Sequence, residues 1–350
     1  MGIIAASRLR AGGLEPSINL FGSLLGDNRW VGGVLAPNGK IYGIPNTSTQ
    51  VLEIDPVNQT ISLFGSLSSG SSKWYGGVLA PNGKIYGIPF DSTQILEIDP
   101  VNQTTSLFGS LSSSNAKWSG GVLAPNGKIY GIPFFSTQVL EIDPVNQTTS
   151  LFGSLSSDNA KWDGGVLAPN GKIYGIPHTS TQVLEIDPVN QTTSLFGSFS
   201  SDNAKWRRGV LSPNGKIYGI PFNSDEILEI DPVNQTTSLF GSLSGNSKWL
   251  GGVLALNGKI YGIPFNSDEI LEIDPVNQTT SLFGSLSGNN KWVGGVLAPN
   301  GKIYGIPFSS TEILEISQIN SPDVIGSDAN IPASLSNLAA SNYNEYYNKL

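Results

Sequence analysis

A sequence repeat of 43 or 44 residues occurs seven times in the chain and constrains the fold more than any other feature of the sequence. A tryptophan opens each copy, and successive tryptophans are 44, 44, 44, 44, 43 and 43 residues apart. They are Trp30, Trp74, Trp118, Trp162, Trp206, Trp249 and Trp292. The text that follows is nearly the same each time, as in WYGGVLAPNGKIYGIPFDSTQILEIDPVNQTTSLFGSLSS. Self-similarity at a fixed period of this length is typical of a repeat architecture.

One copy predicts four short strands and no helix. The segments GGVLA, KIYGIP, QVLEID and TTSLFGS have the β-branched and aromatic content of strands, and the first begins about two residues after each tryptophan. PNG joins the first two strands as a tight turn, because proline fixes φ and Asn-Gly tolerates positive φ. Four antiparallel strands per copy are typical of a propeller blade. We therefore predict an all-β fold, a seven-bladed β-propeller.

The last copy is incomplete, and so is a fragment that precedes the first tryptophan; together they make one blade. The copy that begins at Trp292 supplies three strands, whereas SINLFGSLL at residues 17–25 supplies a fourth with none before it. We predict that this N-terminal strand completes the last blade and closes the ring, which hides sheet edges. Loss of Phe21 burial is expected to cost about 3–5 kcal/mol. The predicted divisions are an N-terminal arm, the propeller and a C-terminal tail, at residues 1–16, 17–317 and 318–350.

The phrase SGGVLAPNGKIYGIP, at residues 119–133, resembles the strand–turn–strand phrase of tachylectin-like and related bacterial propellers. The resemblance covers residues 17–317 and implies the propeller fold. Tachylectin-like proteins are non-enzymatic sugar binders with one site per blade. The resemblance therefore also implies a lectin-like activity, which the spacing of the repeats does not show by itself.

Composition narrows the classes of partner. A formal net charge of −8 makes nucleic acid or an anionic membrane an unsuitable main partner. The chain has no cysteine, which excludes disulfides and thiolate metal sites, and its single histidine leaves no ligand set for zinc. No cofactor and no metal are expected. The N-terminus lacks an apolar stretch long enough for a secretory signal or a membrane span, so we expect cytoplasmic synthesis without membrane insertion.

Variation among the copies falls on one face of the predicted disc. The APNGK and DPVNQT turns are nearly constant and share one face, called here the turn face. The residue after each Trp, the residue after each Ile-Pro pair and the link between blades share the other, the variable face. The residues after Trp are Val31, Tyr75, Ser119, Asp163, Arg207, Leu250 and Val293, and those after Ile-Pro are Asn46, Phe90, Phe134, His178, Phe222, Phe265 and Phe308. The variable face is the candidate binding surface. The alternative explanation of the variation is neutral sequence change in exposed loops, which tolerate substitution.

Three sets of side chains are candidates for ligand contact. The seven tryptophans either stack on sugar rings or pack as wedges between blades. The phenylalanines after Ile-Pro form a candidate apolar contact surface, which Asn46 and His178 interrupt. The charged residues Asp163, His178, Arg207 and Arg208 cluster in neighbouring copies, and they suit an anion or carboxylate site or an acid–base group.

Both ends of the chain are candidates for contact with a partner protein. Tyrosines near the C-terminus follow leucines at spacings of three and four, which predicts a short helix, with a disordered tail as the alternative. Both ends are similar to those of bacterial and phage-encoded surface or virion proteins. The candidate contacts are Arg8, Arg10, Tyr343, Tyr346 and Tyr347.

The near identity of the copies argues against an enzyme, because catalysis needs different residues that converge on one point. We therefore predict a non-enzymatic, multivalent binding scaffold that is lectin-like, with glycans or proteins as partners and avidity from several weak sites. The first alternative is a structural or adhesion protein of a virion or cell-surface assembly, held through its terminal segments. A remote alternative is a lyase or hydrolase that uses the cluster around His178.

Overall fold

The structure, a computed structural model, describes residues 15–25, 30–317 and 319. These residues form seven antiparallel sheets of four strands each. Six sheets take four consecutive strands in chain order, and the seventh has the order β1-β28-β27-β26. The predicted fold class is confirmed: the protein is an all-β, seven-bladed propeller. No helix long and apolar enough to cross a membrane occurs in the part of the chain that the structure describes.

The strands fall into four places that recur in every blade. The innermost are β2 (Trp30–Leu35), β6 (Trp74–Leu79), β10 (Trp118–Leu123), β14 (Trp162–Leu167), β18 (Trp206–Leu211), β22 (Trp249–Leu254) and β26 (Trp292–Leu297). The second are β3 (Ile41–Pro45), β7 (Ile85–Pro89), β11 (Ile129–Pro133), β15 (Ile173–Pro177), β19 (Ile217–Pro221), β23 (Ile260–Pro264) and β27 (Ile303–Pro307). The third are β4 (Val51–Asp55), β8 (Ile95–Asp99), β12 (Val139–Asp143), β16 (Val183–Asp187), β20 (Ile227–Asp231), β24 (Ile270–Asp274) and β28 (Ile313–Ser317). The outermost are β5 (Thr60–Phe64), β9 (Thr104–Phe108), β13 (Thr148–Phe152), β17 (Thr192–Phe196), β21 (Thr236–Phe240), β25 (Thr279–Phe283) and, in blade seven, β1 (Ser17–Phe21).

Each innermost strand begins at its tryptophan, and the prediction of a start two residues later is wrong. In blade one, Trp30 lies opposite Pro45 and Gly33 lies opposite Gly43, so the inner strand carries one extra residue. Such a bulge commonly places a glycine at positive φ, and Gly32 has φ +79°. The bulge keeps the tryptophan paired and places Val31 among the side chains at the mouth of the channel.

The core lies in the seams between neighbouring blades. In the seam between blades seven and one, Ile306 and Val296 of one blade pack with Trp30 and Ile41 of the next. A Cβ built on Gly33 would lie 2.5 Å from Cδ1 of Ile306, so only glycine admits the isoleucine at this depth. Burial of each isoleucine contributes about 1.5–3 kcal/mol. The other six seams repeat this packing.

Hydrogen bonds also join neighbouring blades on the turn face. The buried Glu53 accepts from Lys40 Nζ at 2.6 Å and from the Tyr42 hydroxyl at 2.9 Å. Gln103 of the next blade donates to the same carboxylate at 3.0 Å. Burial by itself would raise the pKa of Glu53, but these hydrogen bonds outweigh it and hold the pKa below its ordinary value. The glutamate of each LEID segment is thus a structural partner of the lysine that directly precedes the second strand of its blade.

The N-terminal strand closes the ring as predicted. β1 pairs antiparallel with β28 over its full length, from Ser17 opposite Ser317 to Phe21 opposite Ile313. The ring of Phe21 lies edge-on to Tyr304, with centroids 6.0 Å apart. This contact matches the one between the corresponding phenylalanine and tyrosine in the six continuous blades. The closing strand therefore contributes packing equal to that of a strand within a continuous blade.

We expect deletion of residues 1–24 to lower the melting temperature. The deletion removes β1, uncovers the edge of β28 and removes the packing of the half-buried Phe21, whose loss alone costs about 3 kcal/mol. Deletion of residues 1–14 is the matched control, because it leaves β1 in place. Thermal unfolding of both variants beside the full chain is the measurement. Equal melting temperatures for the full chain and the longer deletion would contradict ring closure by β1.

Candidate functional site

The residues after each tryptophan fill the mouth of the channel on the variable face, and they are called here the plug. Val31, Leu250 and Val293 are at most 1% exposed and pack with Phe222. Tyr75 packs against the same cluster. The plug joins side chains from blades that are far apart along the chain, and it separates the variable face from the channel.

Aromatic rings surround the plug in two runs, called here the aromatic belt. Phe90 lies 5.6 Å from Phe134, and Phe134 lies 5.4 Å from the ring of His178. On the other side Phe222 and Phe265 have centroids 5.8 Å apart, and Phe308 lies 6.0 Å from Phe265. The structure thus brings together the phenylalanines that the sequence singled out. Phe90, Phe265 and Phe308 keep part of their surface open to solvent.

An exposed ring beside the belt was missed by the sequence analysis. Phe135 is 38% exposed and lies parallel to Phe134, with centroids 5.3 Å apart and an angle of 5° between the planes. The other blades have Thr, Asp, Asn or Ser at this position. Comparison of the seven copies at the second residue after Ile-Pro would have found it, because only blade three has an aromatic residue there.

Buried lysines also escaped the sequence analysis, although each comes directly before a tryptophan. They are Lys73, Lys117, Lys161, Lys205, Lys248 and Lys291. Lys161 Nζ donates to the carbonyl of Asp158 at 2.7 Å and to the carbonyls of Phe134 and Phe135 at 3.3 Å. Burial lowers the pKa of Lys161 to about 8. The ammonium therefore holds the backbone that carries the Phe134–Phe135 pair.

Four polar side chains form a closed cluster between the two runs of the belt. Arg207 Nε lies 3.5 Å from Oδ2 of the buried Asp163 and donates to His178 Nε2 at 3.1 Å. Ser119 donates to the other oxygen of Asp163 at 2.9 Å. The guanidinium of Arg207 also lies over the ring of Phe222, with Cζ 4.3 Å from the centroid. Each charge in this cluster has its partner inside the protein.

Both ring nitrogens of His178 are engaged. Nδ1 lies 3.1 Å from the carbonyl of Ala160, and since a carbonyl only accepts, Nδ1 carries the proton. Nε2 then accepts from Arg207, which occupies the lone pair that a general base would need. Burial, with Arg207 next in effect, lowers the pKa of His178 to about 4. At neutral pH the ring is therefore neutral, and its hydrogen bonds hold Arg207 in place.

The seven tryptophans lie inside the seams and are at most 2% exposed. In blade one, the indole Nε1 of Trp30 donates to the carbonyl of Gln50 at 2.9 Å, and the ring packs against Val296 of blade seven. The same indole hydrogen bond recurs in every blade. The structure places these rings as wedges between blades, where a sugar does not reach them.

The remaining candidates divide between the channel and the chain ends. Arg208 extends from blade five across the channel on the turn side of the plug. The candidate partner contacts Arg8, Arg10, Tyr343, Tyr346 and Tyr347 lie outside the described residues, as does the predicted C-terminal helix. Within the described ranges, no group of three His, Asp or Glu side chains is placed to hold a metal ion.

Comparison with solved structures supports the fold. A streptogramin B lyase is 11% identical to this chain, with a TM-score of 0.75 over 88% of this chain and 99% of the lyase. A virginiamycin B lyase from Staphylococcus aureus is 10% identical, with a TM-score of 0.74 over 87% and 99%. The WD40 β-propeller domain of Doa1 is 12% identical, with a TM-score of 0.67 over 87% and 98%. At these identities the likeness shows a shared propeller fold and not a shared activity. No family model and no curated protein matches the chain.

We expect the buried histidine to make the protein less stable in mild acid. The folded pKa is about 4 and the ordinary value is 6.5, so between these values the unfolded chain binds the proton and the folded chain does not. Stability then falls as the pH falls through this window, by about 2 kcal/mol from pH 7 to pH 5. Urea unfolding at the two pH values measures the change.

The matched control for this prediction is His178→Asn, because blade one already has Asn46 at the same place. The variant has no group that titrates between pH 5 and pH 7 at this position, so its free energy of unfolding should change less over that interval. The carboxylates whose pKa lies below the ordinary value affect both proteins alike. The same pH dependence in the variant and the parent would contradict the neutral, buried histidine.

Proposed function

We propose that the protein is a non-enzymatic, multivalent glycan-binding protein whose variable face contacts the sugar. The observation that carries the proposal is the aromatic belt, whose partly exposed rings lie on the same face as the links between blades, which are rich in Ser and Asn. The flat faces of aromatic rings suit the apolar faces of pyranose rings. Hydroxyl and amide side chains suit the hydroxyl groups of a sugar, because both donate and accept hydrogen bonds.

Blade three has the side chains best placed for such contact. Phe135 is exposed, and its ring is supported from below by the parallel ring of Phe134. Lys161 holds the backbone of both residues through hydrogen bonds to their carbonyls. A ring held in this way loses little conformational entropy when a ligand binds, which favours affinity.

Repetition around the ring supports multivalent binding. The links between blades are rich in Ser, Gly, Asn and Asp, as in SLSSGSSK and SLSGNSK. Weak contacts that recur at fixed distances gain strength through avidity on a surface that displays many copies of one sugar. The rigid seams keep these distances constant, since neighbouring blades share their core.

The polar cluster supports a binding role over catalysis. His178, the single histidine of the chain, has both nitrogens engaged, and Arg207 and Asp163 neutralise each other. A general base needs a free lone pair within reach of the proton that it removes. The similarity to two lyases is a similarity of fold, and their activity is not carried over to this chain.

A glycan array tests the proposal. We expect the full chain to bind a defined class of sugar, and Phe135→Thr to weaken binding of the monovalent sugar at least about threefold, as the loss of one stacking contact implies. Threonine is a fair replacement, because blade one has Thr47 at this position. Val145→Thr is the matched control in the same blade, since Val145 is 82% exposed on the turn face.

Two results would contradict the proposal. Absence of binding to every sugar at high protein concentration would rule out a glycan as the ligand. Unchanged affinity of Phe135→Thr would rule out the variable face of blade three as the contact surface. A variant without residues 318–350 should bind as the full chain does. Loss of binding in that variant alone would favour the alternative in which the terminal segments make the contact.

A further inference from the structure

A cavity of about 150 Å³ lies in the channel at the level of the paired glycines. Its wall consists of the two consecutive glycines of each inner strand, and in blade five Arg208 replaces the first of them. No plug residue lines the cavity, so it lies on the turn side of the plug and away from the aromatic belt. The lining residues other than Arg208 are glycines, so this guanidinium is the one charged group that the described residues place on the wall.

Arg208 occupies a backbone conformation that suits glycine. Its φ is +59°, and the glycines at the equivalent position of the other six blades have φ between +75° and +87°. An arginine is strained in this region, and strain of this kind is concentrated at functional sites. Six blades form the same bulge with glycine, so the fold does not require an arginine here.

The guanidinium of Arg208 crosses the channel and is incompletely satisfied. A Cβ built on Gly32, in blade one, would lie 3.2 Å from its Nη1. Its Cζ lies 5.5 Å from the centroid of Tyr75. Its Nη2 is buried and has no hydrogen-bond partner among the described residues, and no carboxylate of that part of the chain forms an ion pair with it. Buried donors in native proteins are nearly always paired, so Nη2 lacks an acceptor that the described residues do not supply.

The charges around the channel mouth favour an anion as the missing acceptor. Arg207 and Asp163, two residues of the plug, form an ion pair, and His178 is neutral through its two hydrogen bonds. Among the described residues of this region, Arg208 is therefore the charge without an ion-pair partner. The glutamates of the turn face do not offset it, because each has its own lysine partner. The aspartates of the DPVNQT turns accept hydrogen bonds within those turns, as Asp55 does from Asn58.

We propose that this cavity is a binding site for a small oxyanion, a carboxylate or an inorganic phosphate, with Arg208 as its ligand. The planar guanidinium presents paired N–H groups that match the oxygens of such anions. A volume of about 150 Å³ corresponds to roughly five water molecules and admits an anion of four or five heavy atoms. The site is independent of the proposed glycan contacts, which lie beyond the plug.

Calorimetric titration and thermal unfolding with sodium phosphate and with sodium acetate test the site, at an ionic strength held constant with a bulky sulfonate. We expect the full chain to bind at least one of the two anions in a saturable manner and to gain melting temperature with its concentration. Arg208→Gly restores the motif of the other blades and should weaken binding at least about tenfold, while its melting temperature without the anion equals or exceeds that of the parent.

Arg208→Gln distinguishes the effect of the positive charge from the effect of the volume that the side chain occupies. It keeps a long side chain at the same strained position but has no charge, so it should also bind at least about tenfold more weakly. Saturable binding by the full chain together with its loss in both variants would support the site. Absence of binding of both probes to the full chain, or equal binding by either variant, would overturn it.

Discussion

The approach of one isoleucine to the innermost strand of the next blade is the contact on which the whole ring depends. Ile306 reaches so close to β2 that any side chain at Gly33 would collide with it. The same pairing recurs in all seven seams, and it sets how near neighbouring blades lie. Since each blade buries both faces in this way, the core is divided among the seams and a channel remains at the centre. The channel and its glycine wall are thus consequences of how the blades pack.

The plug follows from that channel. Apart from the side chain of Arg208, backbone lines the channel at the paired glycines, and the side chains after each tryptophan fill its mouth. These positions differ among the copies because their side chains meet across the channel. Their combined volume has to fill the mouth, but the side chains need not be identical. Arg207 of blade five reaches Tyr75 of blade two in this way. The charged cluster fills part of the channel mouth in this way, which explains why its members are hydrogen-bond and ion-pair partners of one another.

The residues that are constant among the copies have structural partners. The Glu53 carboxylate joins Lys40 and Tyr42 within its blade and Gln103 of the next. Each tryptophan fixes its own blade through an indole hydrogen bond while its ring fills the seam. The proposed glycan contacts therefore use the aromatic belt and the polar links instead of these buried residues. Arg208 is the exception, because the position that is glycine in the other copies is there an arginine, whose Nη2 has no hydrogen-bond partner among the described residues.

The sequence alone determined the number of blades, the four strands of each and the closing strand. The repeat and the isolated strand segment at residues 17–25 can both be recognised without knowledge of tertiary contacts. It also placed the variable residues on one face, since turns alternate along antiparallel strands. Only the tertiary structure decided that the tryptophans are buried, that Phe135 is exposed on Phe134, and that both nitrogens of His178 are engaged. Those outcomes depend on contacts between residues such as Arg207 and Tyr75, which are 132 positions apart. A repeat of 43 or 44 residues specifies each blade, but side chains that meet across a seam or a channel take their partners from other copies.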